Sequence, residues 1–211
     1  MTLPTLELEI ELLRSSSVVI GIDEVGRGAV AGPVVVGAAA VLADAEAWPE
    51  GLRDSKRMTE RRREQIAPLL RSWTRVGIGW VDADSIDERG ITRCLAEAAA
   101  LAVADVERAG VDLSRAHVLL DGSHDWLSPV LDRPIPVTVR EKSDRDCVSV
   151  AAAACCAKVA RDAYMREAGE RDPRYGWAQN KGYGTAAHMD AIREHGPSPL
   201  HRQSWLTRAL T

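Results

Sequence analysis

A chain of 211 residues, 45% hydrophobic and 27% charged, can bury a core as one domain and has the composition of a soluble globular protein. Its net charge of −4 argues, on its own, against a nucleic-acid binder, and no apolar run approaches the roughly 20 residues that span a bilayer. The acidic start at 6–11 lacks the basic region of a signal peptide, and the four cysteines have no zinc or disulfide spacing, so we expect a cytoplasmic protein without membrane contact.

The first elements in the chain are two Val- and Ala-rich runs, at 17–23 and 33–42, separated by a Gly-rich connection of nine residues. This arrangement predicts an antiparallel pair of strands. Residues 75–81 alternate with a period of two and predict a third strand. Between these strands, apolar residues at helical spacing in an Arg-rich segment predict a helix over 59–72.

The middle of the chain alternates helices with short strands. Ser85 and Glu88 have the spacing of a capping box, and an Ala- and Leu-rich helix is predicted over 90–108, ending at Gly110. Two short apolar runs then predict strands over 117–121 and 135–140. Strands followed by alternating strands and helices indicate a mixed sheet with helices on its faces.

The last third of the chain is predicted to be helical. An Ala-rich run over 146–166 is apolar on nearly every side, which predicts a buried helix. Thr185 has the character of a cap for a further helix that ends near Gly196, and residues 197–205 predict a last helical piece.

Acidic residues follow two of the predicted strands and mark a candidate metal site. Asp23 and Glu24 follow the first strand, Asp121 ends another, and Asp144 comes shortly after the fifth. Carboxylates gathered at one edge of a sheet repel each other, and hard divalent cations such as Mg²⁺ or Mn²⁺ relieve that repulsion. The alternatives are a solvated strand end for Asp23 and Glu24, and an ordinary helix cap for Asp144.

Positive charge is concentrated in two segments despite the acidic total. Residues 51–75 contain eight Lys and Arg against three Asp and Glu, and residues 140–211 contain twelve against nine. Local rather than net charge drives phosphate binding, so these segments predict phosphate-binding surfaces. The alternative is that the Arg-rich helix is simply a solvated face.

Six motifs in one order give the chain a resemblance to bacterial ribonuclease HII from about residue 18 to residue 205. The motifs are Gly-Ile-Asp-Glu-Val-Gly-Arg-Gly (21–28), Asp-Ser-Lys (54–56), Asp-Gly (121–122), Lys-Ser-Asp (142–144), Ala-Lys-Val-Ala-Arg-Asp (157–162) and Lys-Gly-Tyr-Gly-Thr (181–185). The resemblance implies an α/β, ribonuclease H-like fold with a mixed five-stranded sheet flanked by helices. It further implies a single catalytic domain over 1–211, with a small C-terminal helical segment from about residue 170.

The resemblance also implies an activity and a cofactor. A protein of this family hydrolyses the RNA strand of RNA/DNA hybrids and incises ribonucleotide-containing DNA duplexes, using Mn²⁺ or Mg²⁺. We expect a two-metal-ion reaction that leaves 5′-phosphate and 3′-hydroxyl ends. We also expect the protein to act as a monomer.

Site residues follow from the same resemblance, position by position. The implied metal-binding and catalytic carboxylates are Asp23, Glu24, Asp121 and Asp144. The implied substrate-binding residues are Gly26, Arg27 and Gly28, whose backbone reads the ribose 2′-hydroxyl, Tyr183 at the RNA-DNA junction, and the phosphate contacts Ser55, Lys56 and Lys158, with Arg161 as a further candidate. For Lys158 and Arg161, one helical turn apart, a plain helix-surface position is the alternative.

The chain departs from the family pattern in two places. Residues 151–156 replace a stretch that commonly contains serine, and Ser143 stands where Gly or Ala is more usual. Neither change affects a predicted metal ligand. The related ribonuclease HIII has an additional N-terminal domain, and only about 16 residues precede the first predicted strand here, so we expect the HII type.

Two other classes of protein fit parts of the pattern. A junction resolvase or transposase-like nuclease would use a similar acid cluster without any sensor of the 2′-hydroxyl. A nucleic-acid-binding module stabilised by metal would bind the ion and cut no phosphodiester.

Overall fold

A mixed five-stranded sheet organises residues 3–45 and 47–206, the part of the chain that the computed structural model describes. The strands are β1 (Val18–Val25), β2 (Val34–Leu42), β3 (Arg75–Val81), β4 (Ala116–Asp121) and β5 (Val137–Arg140). Their order is β3-β2-β1-β4-β5, with β2 antiparallel to β1 and β3, and β4 parallel to β1 and β5. The predicted mixed sheet is confirmed, including the antiparallel β1–β2 pair.

Helices cover both faces of this sheet. In chain order they are α1 (Glu7–Leu12), α2 (Glu60–Trp73), α3 (Ala83–Arg89), α4 (Ile91–Arg108), α5 (Ser143–Asp146), α6 (Val148–Arg171), α7 (Trp177–Asn180), α8 (Ala186–His195) and α9 (Gln203–Leu206). One apolar core forms between the sheet and α4, and a second joins α2 and α6 on the other side. All four cysteines are buried and unpaired, as the sequence indicated.

Helix α6 lies unusually close to β1 and β2. A Cβ atom added at Gly21 would be 2.4 Å from the Ser149 backbone, and one added at Gly37 would be 2.3 Å from the Ala153 carbonyl oxygen. Residues 151–156 are correspondingly small and buried. Glycine in the strands and alanine in the helix therefore bring the N-terminal half of α6 onto the sheet, beside the carboxyl end of β1.

Several predicted elements differ in detail from the structure, among them β5, which begins at Val137 rather than at residue 135. β1 continues to Val25 because Glu24 and Val25 pair with β2, so the acid pair lies inside the strand. Ser85 is not a cap: α3 begins two residues earlier, and the Asp82 side chain accepts the Ser85 N–H. The predicted helix over 146–166 is divided at Cys147, whose extended backbone forms a bridge with Thr5.

The C-terminal helices pack around the end of α6. Helix α8 begins after the Thr185 cap and ends at Gly196, as predicted, and α9 is shorter than the predicted 197–205 piece. Apolar side chains from this segment, including Tyr175, Trp177 and Ile192, form a core with Met165 and with Ala31 from the β1–β2 connection. The C-terminal segment therefore contacts the loop that follows the acid pair. Within the described ranges, no helix combines the length and the apolar character needed to cross a membrane.

Candidate active site

The four predicted carboxylates lie at the carboxyl edge of β1 and β4. Asp23 and Glu24 belong to the end of β1, and Asp121 is the last residue of β4. Because Ile22 pairs with Leu120 in parallel register, Asp23 and Asp121 are the next residues on two adjacent strands. Asp144 comes from α5, directly beyond β5. We call these four residues the carboxylate cluster.

Hydrogen bonds to Asp121 hold α5 against the strand end. The Asp121 Oδ1 atom accepts the Ser143 N–H at 2.8 Å, the Ser143 hydroxyl at 2.8 Å and the Asp144 N–H at 3.4 Å. A carboxylate is favoured at these free N–H groups at the start of a helix. Ser143, one of the departures from the family pattern, therefore contributes two of the bonds that bring Asp144 to the cluster.

Two cations contact the cluster, one at Asp144 and one at Glu24. The Lys56 Nζ atom is 3.0 Å from Asp144 Oδ2, and Arg27 Nη1 is 3.4 Å from Glu24 Oε1. Lys56 lies in a 3-10 turn over Ser55–Arg57, whose N-terminus is capped by the Asp54 side chain. Both cationic side chains are mostly exposed, at 76% and 55%, so they are available to a ligand at the cleft.

Electrostatic repulsion within the cluster is concentrated on Asp23. Burial, reinforced by the charges of Glu24, Asp121 and Asp144, raises the pKa of Asp23 well above its usual range. Burial also raises the pKa of Glu24, although Arg27 opposes that shift. A site that disfavours its own ionised acids is stabilised by an added cation.

The chemistry of the cluster fits a hard divalent cation, although the cage is not closed. No three acidic, histidine or cysteine side chains in residues 3–45 and 47–206 lie close enough together to hold an ion as they stand. Four carboxylates, one of them buried among like charges, form the oxygen donor set that Mg²⁺ and Mn²⁺ prefer. Lys56 and Arg27 each occupy an oxygen that such an ion would take.

The cluster opens into a cleft of about 410 Å³ that gathers most of the predicted site residues. Those that line it are Asp23, Glu24, Gly26, Arg27, Gly28, Ser55, Lys56, Asp121, Lys158 and Tyr183. Asp144 is not among the lining residues but is bonded to Lys56 at its edge. The structure therefore brings together residues that are up to 160 positions apart in the sequence.

Residues 26–28, which we call the 26–28 loop, form the wall of the cleft beside β1. Gly26 has a φ of +82°, and a Cβ atom there would be 2.1 Å from Arg161 Nε, so no other residue fits without a shift. A Cβ atom at Gly28 would meet nothing within 4 Å. The first glycine of the loop is thus required by packing, whereas the second leaves the cleft open.

Tyr183 forms another wall, in the turn between α7 and α8. Its ring centroid is 5.5 Å from Arg161 Cζ and 5.9 Å from Lys158 Nζ. Lys158 is also bonded to Asp162 at 2.7 Å. The ring is thus close to two cations of α6 and lines the same cleft as the 26–28 loop.

Arg161 is the one candidate that the structure removes from the surface. Its side chain is fully buried and donates to the carbonyl oxygens of Ala31, Pro33 and Lys181. Both interpretations of Arg161, as a phosphate contact and as a helix-surface residue, are therefore wrong. No sequence pattern indicated its backbone partners, which lie in the β1–β2 connection and at the end of α7.

Arg202 was missed altogether by the sequence analysis. It is fully buried and donates to the carbonyl oxygens of Gly26, Arg27 and Gly32. No local pattern distinguishes it from other arginines of the C-terminal segment, since all three acceptors lie about 170 residues away.

The fold and the cluster together define a metal-dependent nuclease of the ribonuclease H class. Residues 20–208 match the family model described as Ribonuclease HII. The Ribonuclease HII of Streptomyces avermitilis is 41% identical over 202 residues, covering 95% of this chain and 82% of that protein. That of Magnetococcus marinus is 40% identical over 206 residues, covering 96% and 92%. This chain therefore belongs to the ribonuclease HII family, as its motifs suggested.

Solved structures show the same fold. The ribonuclease H2 of Pyrococcus horikoshii superposes with a TM-score of 0.69 at 24% identity, covering 90% of this chain and 94% of the other. The ribonuclease HII in the PCNA complex from Archaeoglobus fulgidus gives 0.70 at 26% identity, covering 89% and 94%. A Bst-RNase HIII in complex with Mn²⁺ gives 0.68 at 24% identity, covering 88% and 65%. The chain is accordingly a metal-dependent endoribonuclease that acts on RNA/DNA substrates.

Proposed function

We propose that this ribonuclease cuts the RNA strand of RNA/DNA hybrids and also incises DNA duplexes that contain a single ribonucleotide. The observation that carries the proposal is the shared cleft, which is lined by Asp23, Glu24 and Asp121 of the carboxylate cluster and also by the 26–28 loop and Tyr183. A cleft of this form can act on a phosphate and contact the adjacent sugar at the same time. That combination is what an enzyme needs in order to cut at one ribose among deoxyriboses.

The carboxylate cluster would hold the Mn²⁺ or Mg²⁺ on which the family depends. A pair of such ions supplies activation of the attacking water and stabilisation of the departing 3′-oxygen, leaving 5′-phosphate and 3′-hydroxyl ends. Asp23 and Asp121, at the ends of neighbouring strands, would contribute carboxylate oxygens to hold these ions. Glu24 and Asp144 would complete the donor set after releasing Arg27 and Lys56.

The cations released in this way would contact the substrate. Lys56 is mostly exposed on the edge of the cleft, with Ser55 beside it, and both fit a role in binding phosphate. Lys158 lines the same cleft from α6. These contacts give affinity without sequence preference, because every nucleotide presents the same phosphate.

Selection of the ribose would depend on backbone groups and on Tyr183. The N–H groups of Arg27 and Gly28 have no acceptor among the described residues, and Gly28 has open space beside its α-carbon. A hydroxyl oxygen can accept from such N–H groups, whereas a deoxyribose offers nothing in that position. Tyr183 would pack against the sugar that follows.

The assembly state and domain organisation are also part of the proposal. We propose that residues 1–211 act as a single catalytic domain, as a monomer in the cytoplasm. The family match over 20–208 supports one domain, since it runs through the sheet and the C-terminal helices alike. Sedimentation of the purified chain alone and with a hybrid duplex measures the stoichiometry, and a dimer in either state contradicts the monomer.

The deciding experiment compares two duplexes that differ by one oxygen atom. A DNA duplex with one internal ribonucleotide, its all-DNA counterpart and an RNA/DNA hybrid are each incubated with the enzyme in Mg²⁺ or Mn²⁺. We expect cutting of the hybrid and of the single-ribonucleotide duplex, with 5′-phosphate and 3′-hydroxyl ends, and no cutting of all-DNA duplex. Cutting of the hybrid alone would contradict the ribonucleotide-incision part of the proposal.

A further inference from the structure

Two buried arginines with no ion-pair partner lie directly behind the 26–28 loop. Arg161 and Arg202 are both fully buried, and neither forms a salt bridge within residues 3–45 and 47–206. Arg202 lies close enough to Arg161 for the two charges to repel, and burial together with this repulsion lowers the pKa of Arg202 to about 9. Two unneutralised guanidinium groups are a costly feature in a core, and they persist only where their bonds are needed.

Arg202 binds the carbonyl side of the 26–28 loop. Its Nη2 atom donates to Gly26 O at 2.7 Å and its Nη1 atom to Arg27 O at 2.9 Å. Further bonds to Gly32 O, at 3.1 and 3.2 Å, tie the same guanidinium to the end of the β1–β2 connection. One side chain from the C-terminal segment therefore fixes two consecutive peptide groups of the loop.

The geometry of a trans peptide fixes where the N–H groups of Arg27 and Gly28 point. The described peptide bonds are all trans, and in a trans peptide the C=O and N–H bonds point in opposite directions. With Gly26 O and Arg27 O turned toward Arg202, the N–H groups of Arg27 and Gly28 point away from it, and the loop that carries them lines the cleft. These are the two N–H groups that lack an acceptor.

Arg161 connects the loop to the Tyr183 turn. Its Nη1 atom donates to Lys181 O at 2.8 Å, while its Nε and Nη2 atoms donate to Pro33 O and Ala31 O at 2.9 and 3.1 Å. The same guanidinium fills the space beside Gly26 and lies 5.5 Å from the Tyr183 ring. The loop and the tyrosine are therefore held relative to each other through one residue.

We propose that Arg202, supported by Arg161, is a positioning residue for ribose selection: it aims the N–H groups of Arg27 and Gly28 at the 2′-hydroxyl. The inference rests on the proposed function, because it assumes that the 26–28 loop reads the sugar. Arg202 does not touch the substrate in this account. It acts through the loop, and its loss should reduce discrimination between ribose and deoxyribose while leaving phosphate binding intact.

The test measures discrimination in the active enzyme with Mn²⁺. KM is determined for the duplex with one ribonucleotide, and Ki is determined for the all-DNA duplex as a competitive inhibitor; their ratio, Ki/KM, reports selection. The variants are Arg202→Lys, which keeps the charge but can satisfy fewer of the carbonyls, and Arg202→Met, which satisfies none. Tyr175→Phe is the matched control, since it removes a partly buried hydrogen bond to Gly196 O in the same segment without touching the loop.

We expect Arg202→Lys to lower Ki/KM about tenfold, the factor that corresponds to about 1.4 kcal/mol of lost binding. Arg202→Met should lower the Ki/KM ratio further. In both Arg202 variants, Ki for the all-DNA duplex should stay at the wild-type value. Tyr175→Phe should lower the melting temperature and leave Ki/KM unchanged. If Arg202→Met does not fold, Arg202→Lys decides alone.

The contradictory outcomes are separable. A wild-type ratio near one would contradict the reading of the sugar by the 26–28 loop, and the inference with it. A high wild-type ratio that Arg202→Lys leaves unchanged, while stability falls, would overturn the inference alone and reduce Arg202 to a structural role.

Discussion

The carboxylate cluster and the 26–28 loop, two parts of the same cleft, differ in how their charges and hydrogen-bonding groups are satisfied. The carboxylate cluster gathers like charges on rigid strand ends, leaves Asp23 with a raised pKa, and engages Lys56 and Arg27 only at its edge. The 26–28 loop has a neutral backbone, and a buried guanidinium donates to the carbonyl oxygens of Gly26 and Arg27. The cluster carries repulsion that a bound cation would relieve, whereas the loop has hydrogen bonds on its carbonyl side and two N–H groups without an acceptor among the described residues.

Under the proposed function, this difference gives separate tasks to the cluster and the loop. Repelling carboxylates favour the binding of metal ions and would so supply the means of hydrolysis. A loop fixed from behind presents donors of constant direction and would so supply selection, since preorganised donors lose little entropy on binding. Substitutions in the carboxylate cluster should therefore alter cleavage, and substitutions that disturb the 26–28 loop should alter the choice between ribose and deoxyribose.

The largest effect should come from removing one charge of the cluster. Asp121→Asn should lower kcat at least about a thousandfold, equivalent to about 4 kcal/mol of lost transition-state stabilisation. Its melting temperature should not fall in the absence of metal, because one source of repulsion on Asp23 is gone. Asp125→Asn, on the same strand-to-strand connection but outside the cleft, should retain activity. An active Asp121→Asn enzyme would exclude Asp121 from the site.

The two glycines of the loop offer a matched pair of substitutions. Gly26→Ala forces a positive φ and a clash with Arg161, so it should cost about 2–4 kcal/mol of the free energy of unfolding. Gly28→Ala meets open space and should change that free energy by less than about 0.5 kcal/mol. Denaturant unfolding measures both. Equal costs would contradict the close packing of the loop on Arg161.

Acid should weaken the segment that carries Arg202. Burial and the neighbouring His188 lower the pKa of His201 from 6.5 to about 4, and the Ser198 N–H donates to its Nδ1 atom, as only the unprotonated nitrogen allows. The unfolded chain then binds the extra proton between pH 6.5 and 4. Stability from this residue is present above pH 6.5 and is lost as the pH falls to 4, by about 3 kcal/mol.

The measurement for this prediction is the free energy of unfolding from pH 4 to pH 7. His201→Gln should be less stable than the wild type near pH 7, with a shallower dependence on pH. A variant with the wild-type slope would show that His201 does not stay neutral in the folded protein.

The smallest effect should come from the exposed cation at the edge. Lys56→Ala should raise KM about threefold both for the DNA duplex with one ribonucleotide and for the RNA/DNA hybrid. It should also lower the slope of log KM against log salt concentration by about one unit. Arg93→Ala, which removes a surface cation from α4 on the other face of the sheet, is the control. A change confined to one substrate would mean that Lys56 takes part in selection.

Residues and strands that belong to a short, recognisable sequence pattern could be predicted from the sequence. An apolar strand followed by an acid and a glycine singled out Asp23, Glu24 and Asp121, which the structure places at one edge of the sheet, and period-two alternation predicted β3 with its observed bounds. Asp144 remained ambiguous with a helix cap until Ser143 was seen bonded to Asp121. The family motifs then assigned the 26–28 loop and Tyr183.

Other features of the fold and of the cleft depend on tertiary contacts, which leave no local pattern in the sequence. The helix predicted over 146–166 is divided because Thr5 bonds to both sides of Cys147, through Asp146 O and Val148 N. Arg202 looks like any arginine because its acceptors are backbone carbonyls, which every residue possesses. The residues and contacts that position the site were therefore harder to predict from the sequence than the residues that line the cleft.

The separation of hydrolysis from selection is tested most directly by the affinity of the Asp121→Asn protein, with Mn²⁺ present, for two duplexes. Fluorescence anisotropy gives the Kd for the duplex with one ribonucleotide and for its all-DNA counterpart. We expect this inactive protein to prefer the ribonucleotide by the same factor as the wild-type Ki/KM. A preference that disappears with the carboxylate would contradict the account, because selection would then depend on the cluster.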